Sequence, residues 1–476
     1  MIGSYLKYPF LVLLLGVSAG SGFSQKAGIE NWADSSVVII DSIIIRGNDV
    51  TRERIITREL LFQAEDTIPV RQLQDLLTRS TNNLNNTSLF NFVDIKLQSD
   101  TERRPYVDVV IDLVERWYIW PFPIFEIADR NFNAWWEKKD LSRINYGLFV
   151  TWNNFRGRME KLVLYSRFGF DERYYFHYHV PYINKSQTVG LGFSAGFSQN
   201  HEVAYNSEDN KEVYYKSETG YPIRQLFAYT ELFTRKSIHN THWFKLSYRQ
   251  ARFSDSLLML NDDFSFGNRN MNDLFAFYYQ FKSDYRDYKH YPLTGYYVDV
   301  ELDKTGLGLI SEGDALSLKT NLRKYSRLGK RFHWASGFTG KISPFWRQPY
   351  FYELGLGYGR DFVRGYEYYV IDGQHYALLK NNLKFTLIPT TVKEIGFIPT
   401  EKFSKIHFAV YMNLFTDLAW VVDDKDTDLN PLANQLLIGS GVGLDLVAYY
   451  DLVFRFELSV NRRWEKGFFI HFMTSI

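Results

Sequence analysis

The chain has no cysteine, which excludes a disulfide framework, thiolate catalysis and a lipid-modified cysteine anchor. It has almost no net charge: 55 Lys and Arg against 54 Asp and Glu leave +1. Nothing in that balance points to nucleic acid or to a strongly charged partner. Long apolar runs are missing too. Past the N-terminus, no segment approaches the roughly 20 continuous apolar residues that a transmembrane helix needs. What the chain has in excess is aromatic rings, with 34 Tyr, 39 Phe and 11 Trp making up 18% of 476 residues. A packed core alone rarely needs that much tyrosine. Girdles at two membrane–water interfaces do, because a ring with a polar tip suits such a boundary.

The first residues read as a secretory signal. Lys7 supplies positive charge, Pro9 to Val17 a short apolar run, and Ser18 to Ser24 a small-residue stretch. A signal peptide is expected over residues 1–24. A secreted chain without apolar helices can still span a membrane if its strands close into a barrel.

Residues 35–116 carry a different pattern. Val37 to Ile45 is a β-rich run ended by the turn Arg46-Gly47-Asn48-Asp49. Thr51 to Phe62 shifts to a helical period through Ile55, Ile56, Leu60 and Leu61. A second helix opens with Pro69 in its first turn and carries Leu73, Leu76, Leu77 and Leu84 on one face. Phe90 to Leu97 and Tyr106 to Val114 supply two more strands. This order, with Gly47-Asn48, the Leu89-Phe90 pair and the closing Glu115-Arg116, resembles a polypeptide-transport-associated (POTRA) domain. The resemblance implies an exposed strand edge that pairs with an extended client chain. The edge of residues 37–45 is the expected place.

From residue 117 to 476, segments of about ten residues alternate apolar and polar positions between polar turns. Ile144, Tyr146, Leu148, Val150 and Trp152 form one row, with Asn145, Gly147, Thr151 and Asn153 mostly on the other. Val189 to Ser198 alternates the same way. Asp299, Glu301 and Asp303, and later Arg455 and Glu457, put charge on one row while the other stays apolar. The expected fold is an all-β transmembrane barrel of about 16 antiparallel strands, with about eleven before Arg364 and about five after it. The small α+β domain precedes it. Polar stretches at His201–Gly220 and Asp423–Asn434 read as loops outside the barrel.

One segment cannot be an ordinary spanning strand. Leu354 to Tyr366 holds Gly355, Gly357, Gly359 and Gly365, a backbone able to adopt positive φ and to approach a wall closely. With Val363, Arg364, Gly365 and Tyr366 it resembles the inward-folded loop of the BamA/TamA-type outer-membrane superfamily. That group includes barrel insertases and two-partner secretion transporters. The resemblance implies a loop at about 350–373 whose tip arginine, Arg364, meets an acidic residue on the lumen wall. Asp417 matches that partner, and it shares parity with His407, Tyr411 and Asn413 on the inward row. In a wet lumen such a pair contributes only about 0–1 kcal/mol. Where relatives often carry a second acid, this chain has Lys384, on the row of Lys380 and Asn382. A cation there cannot accept from Arg364.

Two other signals carry little. Gly192-Phe193-Ser194-Ala195-Gly196 fits a hydrolase nucleophile elbow, which needs a strand, a sharp turn and a helix. Here it continues an alternating strand. His177 and His179 share parity, but no third ligand stands nearby. Neither a catalytic site nor a cofactor or metal is expected. The resemblance implies a non-enzymatic protein of a Gram-negative outer membrane, with its soluble module in the periplasm. It would insert or translocate polypeptide clients. Its partners are outer-membrane lipid, unfolded or extended polypeptides and periplasmic accessory proteins, and not nucleic acid. The other reading is a passive channel or structural barrel plugged by the loop.

Overall fold

The computed structural model describes residues 36–98, 105–127, 144–217, 220–309, 313–344, 348–394, 405–425, 428–448 and 451–472. The expected signal peptide lies outside them. In the N-terminal module, β1 (Val37–Arg46) runs parallel to β4 (Tyr106–Glu115), and β3 (Phe90–Gln98) pairs antiparallel on the far side of β4. Helix α1 (Glu53–Thr57) and helix α2 (Val70–Asn85) cover one face. Leu73, Leu77 and Leu84 recur at spacings of four and seven, so they share a stripe of α2. That stripe packs on Val38, Ile40, Val107, Val109 and Ile111. Each such side chain contributes about 1.5–3 kcal/mol by leaving water.

Three details differ from the sequence reading. The first helix ends at Thr57, because the chain then turns to drop Leu60 and Phe62 into the core and to aim Glu59 at the barrel. Pro69 ends a short strand, β2 (Thr67–Pro69), and stands at the N-cap of α2, where its missing N–H costs nothing. That strand pairs with Val37 to Ile39, giving the order β2-β1-β4-β3. The outer strand of full length is therefore β3, and the expected docking edge on residues 37–45 is partly covered.

Sixteen of the remaining strands form one antiparallel sheet, each paired with the next of the sixteen along the chain. It opens with β5 (Ile119–Ile127), β6 (Ile144–Phe155), β7 (Glu160–Gly169), β8 (Glu172–Val180) and β9 (Val189–Asn200). A hairpin of β10 (Glu202–Glu208) and β11 (Lys211–Lys216) stands outside the sheet, within the expected loop at His201–Gly220. Next come β12 (Ile223–Thr234), β13 (Asn240–Phe253), β14 (Met271–Asp284), β15 (Gly295–Thr305), β16 (Ala315–Arg327) and β17 (Phe332–Ile342). After a long loop at 343–374 follow β18 (His375–Glu394), β19 (Lys405–Val422), β20 (Leu436–Val447), β21 (Val453–Asn461) and β22 (Lys466–Phe472). Eleven strands precede Arg364 and five follow it, as the alternation predicts.

Exposure follows parity. Leu191 and Phe193 face outward while Ser194 between β8 and β12 is buried, and on β19 Met412 and Leu414 face outward against buried Asn413 and Phe415. A residue's row is thus fixed by counting along the strand. Pro121 and Pro123 lie on β5, at one end of the sheet, in a ladder with β6 that runs unbroken from Ile119 to Ile127. Among the described residues, no ladder joins β5 to β22 at the other end.

The module sits against the turns at one end of the barrel. Arg58 donates to the carbonyls of Gln187 (2.9 Å) and Arg235 (2.8 Å), and Glu59 takes both ends of the Arg235 fork at 2.6 and 2.8 Å. Arg116 grips Asp451, in the turn between β20 and β21, at 2.6 and 3.0 Å. Burial alone would raise that carboxyl. The Arg116 hydrogen bond and charge, helped by His290 and Tyr288, outweigh it and bring Asp451 down to about 2. The turn at 285–294 is pulled in two directions. The Lys289 N–H donates to the Asn86 side chain of the module at 2.9 Å, while Tyr291 points into the lumen, donates to Asp445 (2.7 Å) and stacks on Tyr411.

Candidate functional site

The turn Val363-Arg364-Gly365-Tyr366 begins from backbone chemistry. The Tyr366 N–H donates to the Val363 carbonyl at 3.0 Å, and Gly365 has φ of 94°. A type II turn has this hydrogen bond and requires positive φ at its third residue, which glycine alone adopts without strain. Arg364 thereby occupies the turn's outer corner. Val363 and Tyr366 flank it and are buried in a cluster with Leu378, Ala419, Val421 and Leu437 of the wall. The wall admits the turn because position 439 is glycine. A Cβ there would stand 1.7 Å from the Arg364 carbonyl oxygen.

The structure brings Arg364 and Asp417 together. The guanidinium Nε and Nη2 donate to the two carboxylate oxygens at 2.9 and 2.5 Å, and the Arg364 backbone N–H adds a third bond at 3.1 Å. Nη1 donates to Asn382 Oδ1 at 2.8 Å and to Glu457 Oε1 at 3.3 Å. The guanidinium carbon lies 3.9 Å from the centre of the Phe415 ring. Residues of β18, β19 and β21 therefore converge on one cation through a planar fork that matches a carboxylate.

The expectation of a wet lumen fails at this point. Arg364 is 2% and Asp417 0% exposed, enclosed between Phe415 of the wall and the loop itself. An exposed pair contributes little, but breaking a buried one costs about 3–5 kcal/mol because a charge is stranded. Further ties hold the loop across the lumen. Asp361 accepts from Lys319 on β16 and from Tyr376 on β18, Asn461 donates to the Gly365 carbonyl, and Tyr369 donates to Glu465.

Lys384 is not part of this clamp. Its ammonium lies over the Tyr291 ring at 4.2 Å, completely buried, with no hydrogen-bond acceptor among the described residues. The place that a second acid would fill is taken by Asn382 and Glu457. Parity marked both as inward. Their convergence needed the curvature of the sheet, which no linear pattern encodes. A second charged group lies beneath the clamp: Arg455 binds Asp445 at 2.8 and 3.1 Å, and Tyr291 shares that carboxylate. Ser194 stands in the middle of β9 and donates to the Phe176 carbonyl at 2.7 Å, without the turn that a nucleophile elbow requires. His177 lies 3.4 Å from the Tyr229 hydroxyl and its ring is stacked with that of His179.

Residues 38–116 match the family model for POTRA, surface antigen variable number repeat. No curated protein is significantly similar in sequence. Among solved structures, BamA from Haemophilus ducreyi lacking POTRA domains 1–3 superposes with a TM-score of 0.51 at 15% identity, covering 91% of this chain and 83% of that one. CdiB from Escherichia coli gives 0.52 at 12% identity, over 92% and 74%. Such low identity speaks for the shared fold. The chain thus carries a POTRA module over residues 38–116, followed by a sixteen-strand barrel whose fold is that of these two proteins.

Proposed function

We propose that the chain is an outer-membrane protein of a Gram-negative bacterium that inserts or translocates polypeptides. Residues 1–24 would be removed on export, residues 35–116 would stand in the periplasm, and residues 117–476 would span the membrane. The outer strand β3 of the module offers backbone groups to an extended client, and the barrel passes that client on. Lipid and periplasmic accessory proteins complete the set of partners. The observation that carries this reading is the buried Arg364–Asp417 clamp, which holds a loop across the lumen beside a sheet whose two ends share no ladder among the described residues. Photocrosslinking from β3 in living cells is the test. Unfolded secreted or barrel proteins trapped there support the reading, and an absence of polypeptide adducts beside a folded barrel overturns it.

The second reading is a passive or structural barrel. It is favoured by the filling of the lumen from both ends, by the loop at 343–374 and by Tyr291 from the opposite turn. Steep conductance on loop deletion, without any defect in polypeptide export or assembly, would support it.

A further inference from the structure

Beside the clamp, three side chains from three elements meet. Glu367 lies just past the Val363–Tyr366 turn, Glu457 on β21 and His471 on β22. Each carboxylate has one oxygen committed. Glu367 Oε2 accepts from the Gly365 N–H at 2.7 Å, and Glu457 Oε1 accepts from Arg364 at 3.3 Å with Arg455 at 3.7 Å. The other oxygens, Glu367 Oε1 and Glu457 Oε2, have no hydrogen-bond partner among the described residues, and neither does His471 Nε2. These three atoms meet one another as charged neighbours, without a hydrogen bond of good geometry between them. Nε2 lies 3.3 Å from Glu457 Oε2 and 3.8 Å from Glu367 Oε1, and all three lie within 4.8 Å. Glu457 is 1% exposed.

A shared proton serves this arrangement poorly. One imidazolium N–H has a single direction, and 3.8 Å is beyond hydrogen-bond length. A cation of the zinc class bonds imidazole nitrogen and carboxylate oxygen at about 2.0–2.2 Å. Donors around such an ion stand about 3.3 Å apart by tetrahedral geometry. The observed separations need to close by no more than about 1.5 Å to reach that spacing. One imidazole and two carboxylates form a mixed N/O set suited to a divalent transition metal, and three protein donors leave a fourth position open.

We propose that Glu367, Glu457 and His471 bind one divalent transition cation of the Zn2+ type. The ion links the inward loop to β21 and to β22, the strand at the end of the sheet. It is a tether of the loop and does not depend on what the barrel transports.

The test uses the full chain in detergent micelles, stripped with EDTA and titrated with Zn2+ alone by calorimetry. Co2+ substitution reports the ligand set by its visible absorption. The expected result is one Zn2+ per chain, with affinity falling about tenfold or more in His471→Ala and in Glu367→Gln, while His177→Ala binds as the unchanged protein does. Glu367 lies in the loop and outside every strand, so its variant tests the site even if a change on β22 hinders folding. Wild-type protein that takes up no Zn2+, or uptake that persists undiminished in both Glu367→Gln and His471→Ala, would overturn the proposal.

Discussion

At Arg364, charge and shape can be separated. Lys keeps the charge but lacks the fork, so Arg364→Lys forfeits the bidentate bond to Asp417 and the contact with Asn382. Arg364→Ala goes further and leaves the buried Asp417 with only the Lys380 ammonium, 4.0 Å away, at a cost toward the lower end of about 3–5 kcal/mol to the seated loop. Limited proteolysis of the loop should therefore rank Ala above Lys above the unchanged protein, in a barrel that still assembles. Equal protection in all three would detach the loop's position from this pair. Gly439→Ala reaches the same end without touching a charge, since its methyl occupies the space of the Arg364 carbonyl. That Asp417 faces inward could be found by counting along one strand, because parity is local, while its pairing with Arg364 was implied by the resemblance. Its burial could not, because the groups that exclude water come from the loop and from wall residues distant in sequence.

Among elements, the docking of the module has a pH signature. The Asp451 carboxyl sits at about 2 when held by Arg116, against the ordinary value near 3.8. A depressed carboxyl stabilises the docked state fully above about 4, and that contribution is lost as pH falls from about 4 through about 2, amounting to about 2 kcal/mol. Since the chain has no native cysteine, an Asn86→Cys, Lys289→Cys pair spin-labelled at neutral pH gives a clean readout of the docked fraction from the distance between the labels. The docked fraction should hold at neutral pH and fall across that acid window. In Asp451→Asn it should be low already at neutral pH. The sheet strands were legible because each spans several periods of alternation. The three-residue β2 is too short to show a period, and the hairpin of β10 and β11 reads only as polar loop. The inward reach of Tyr291 follows from the contacts of its turn and not from its composition.

Across the whole molecule, two segments of different origin reach into the lumen: the loop that carries Arg364, and the turn that carries Tyr291. Deleting residues 350–373 should raise single-channel conductance only part of the way. Shortening the turn at 285–294 in the same protein should raise it further. Full conductance from the first deletion alone would mean that Tyr291 obstructs nothing. About sixteen antiparallel strands were readable from the alternation, and the inward loop at 350–373 from the resemblance, whereas the inward reach of the Tyr291 turn was readable from neither.

The two prolines of β5 give the sheet ends different capacities. The ladder with β6 runs unbroken past Pro121 and Pro123, so the amide hydrogens that proline lacks would have pointed away from it. A newcomer laid along β5 would find acceptors there but two donors missing. Along β22, whose seven residues include no proline, no donor is missing on the side away from β21. Annealing of another backbone onto this cylinder should therefore begin at its last stave and not at its first.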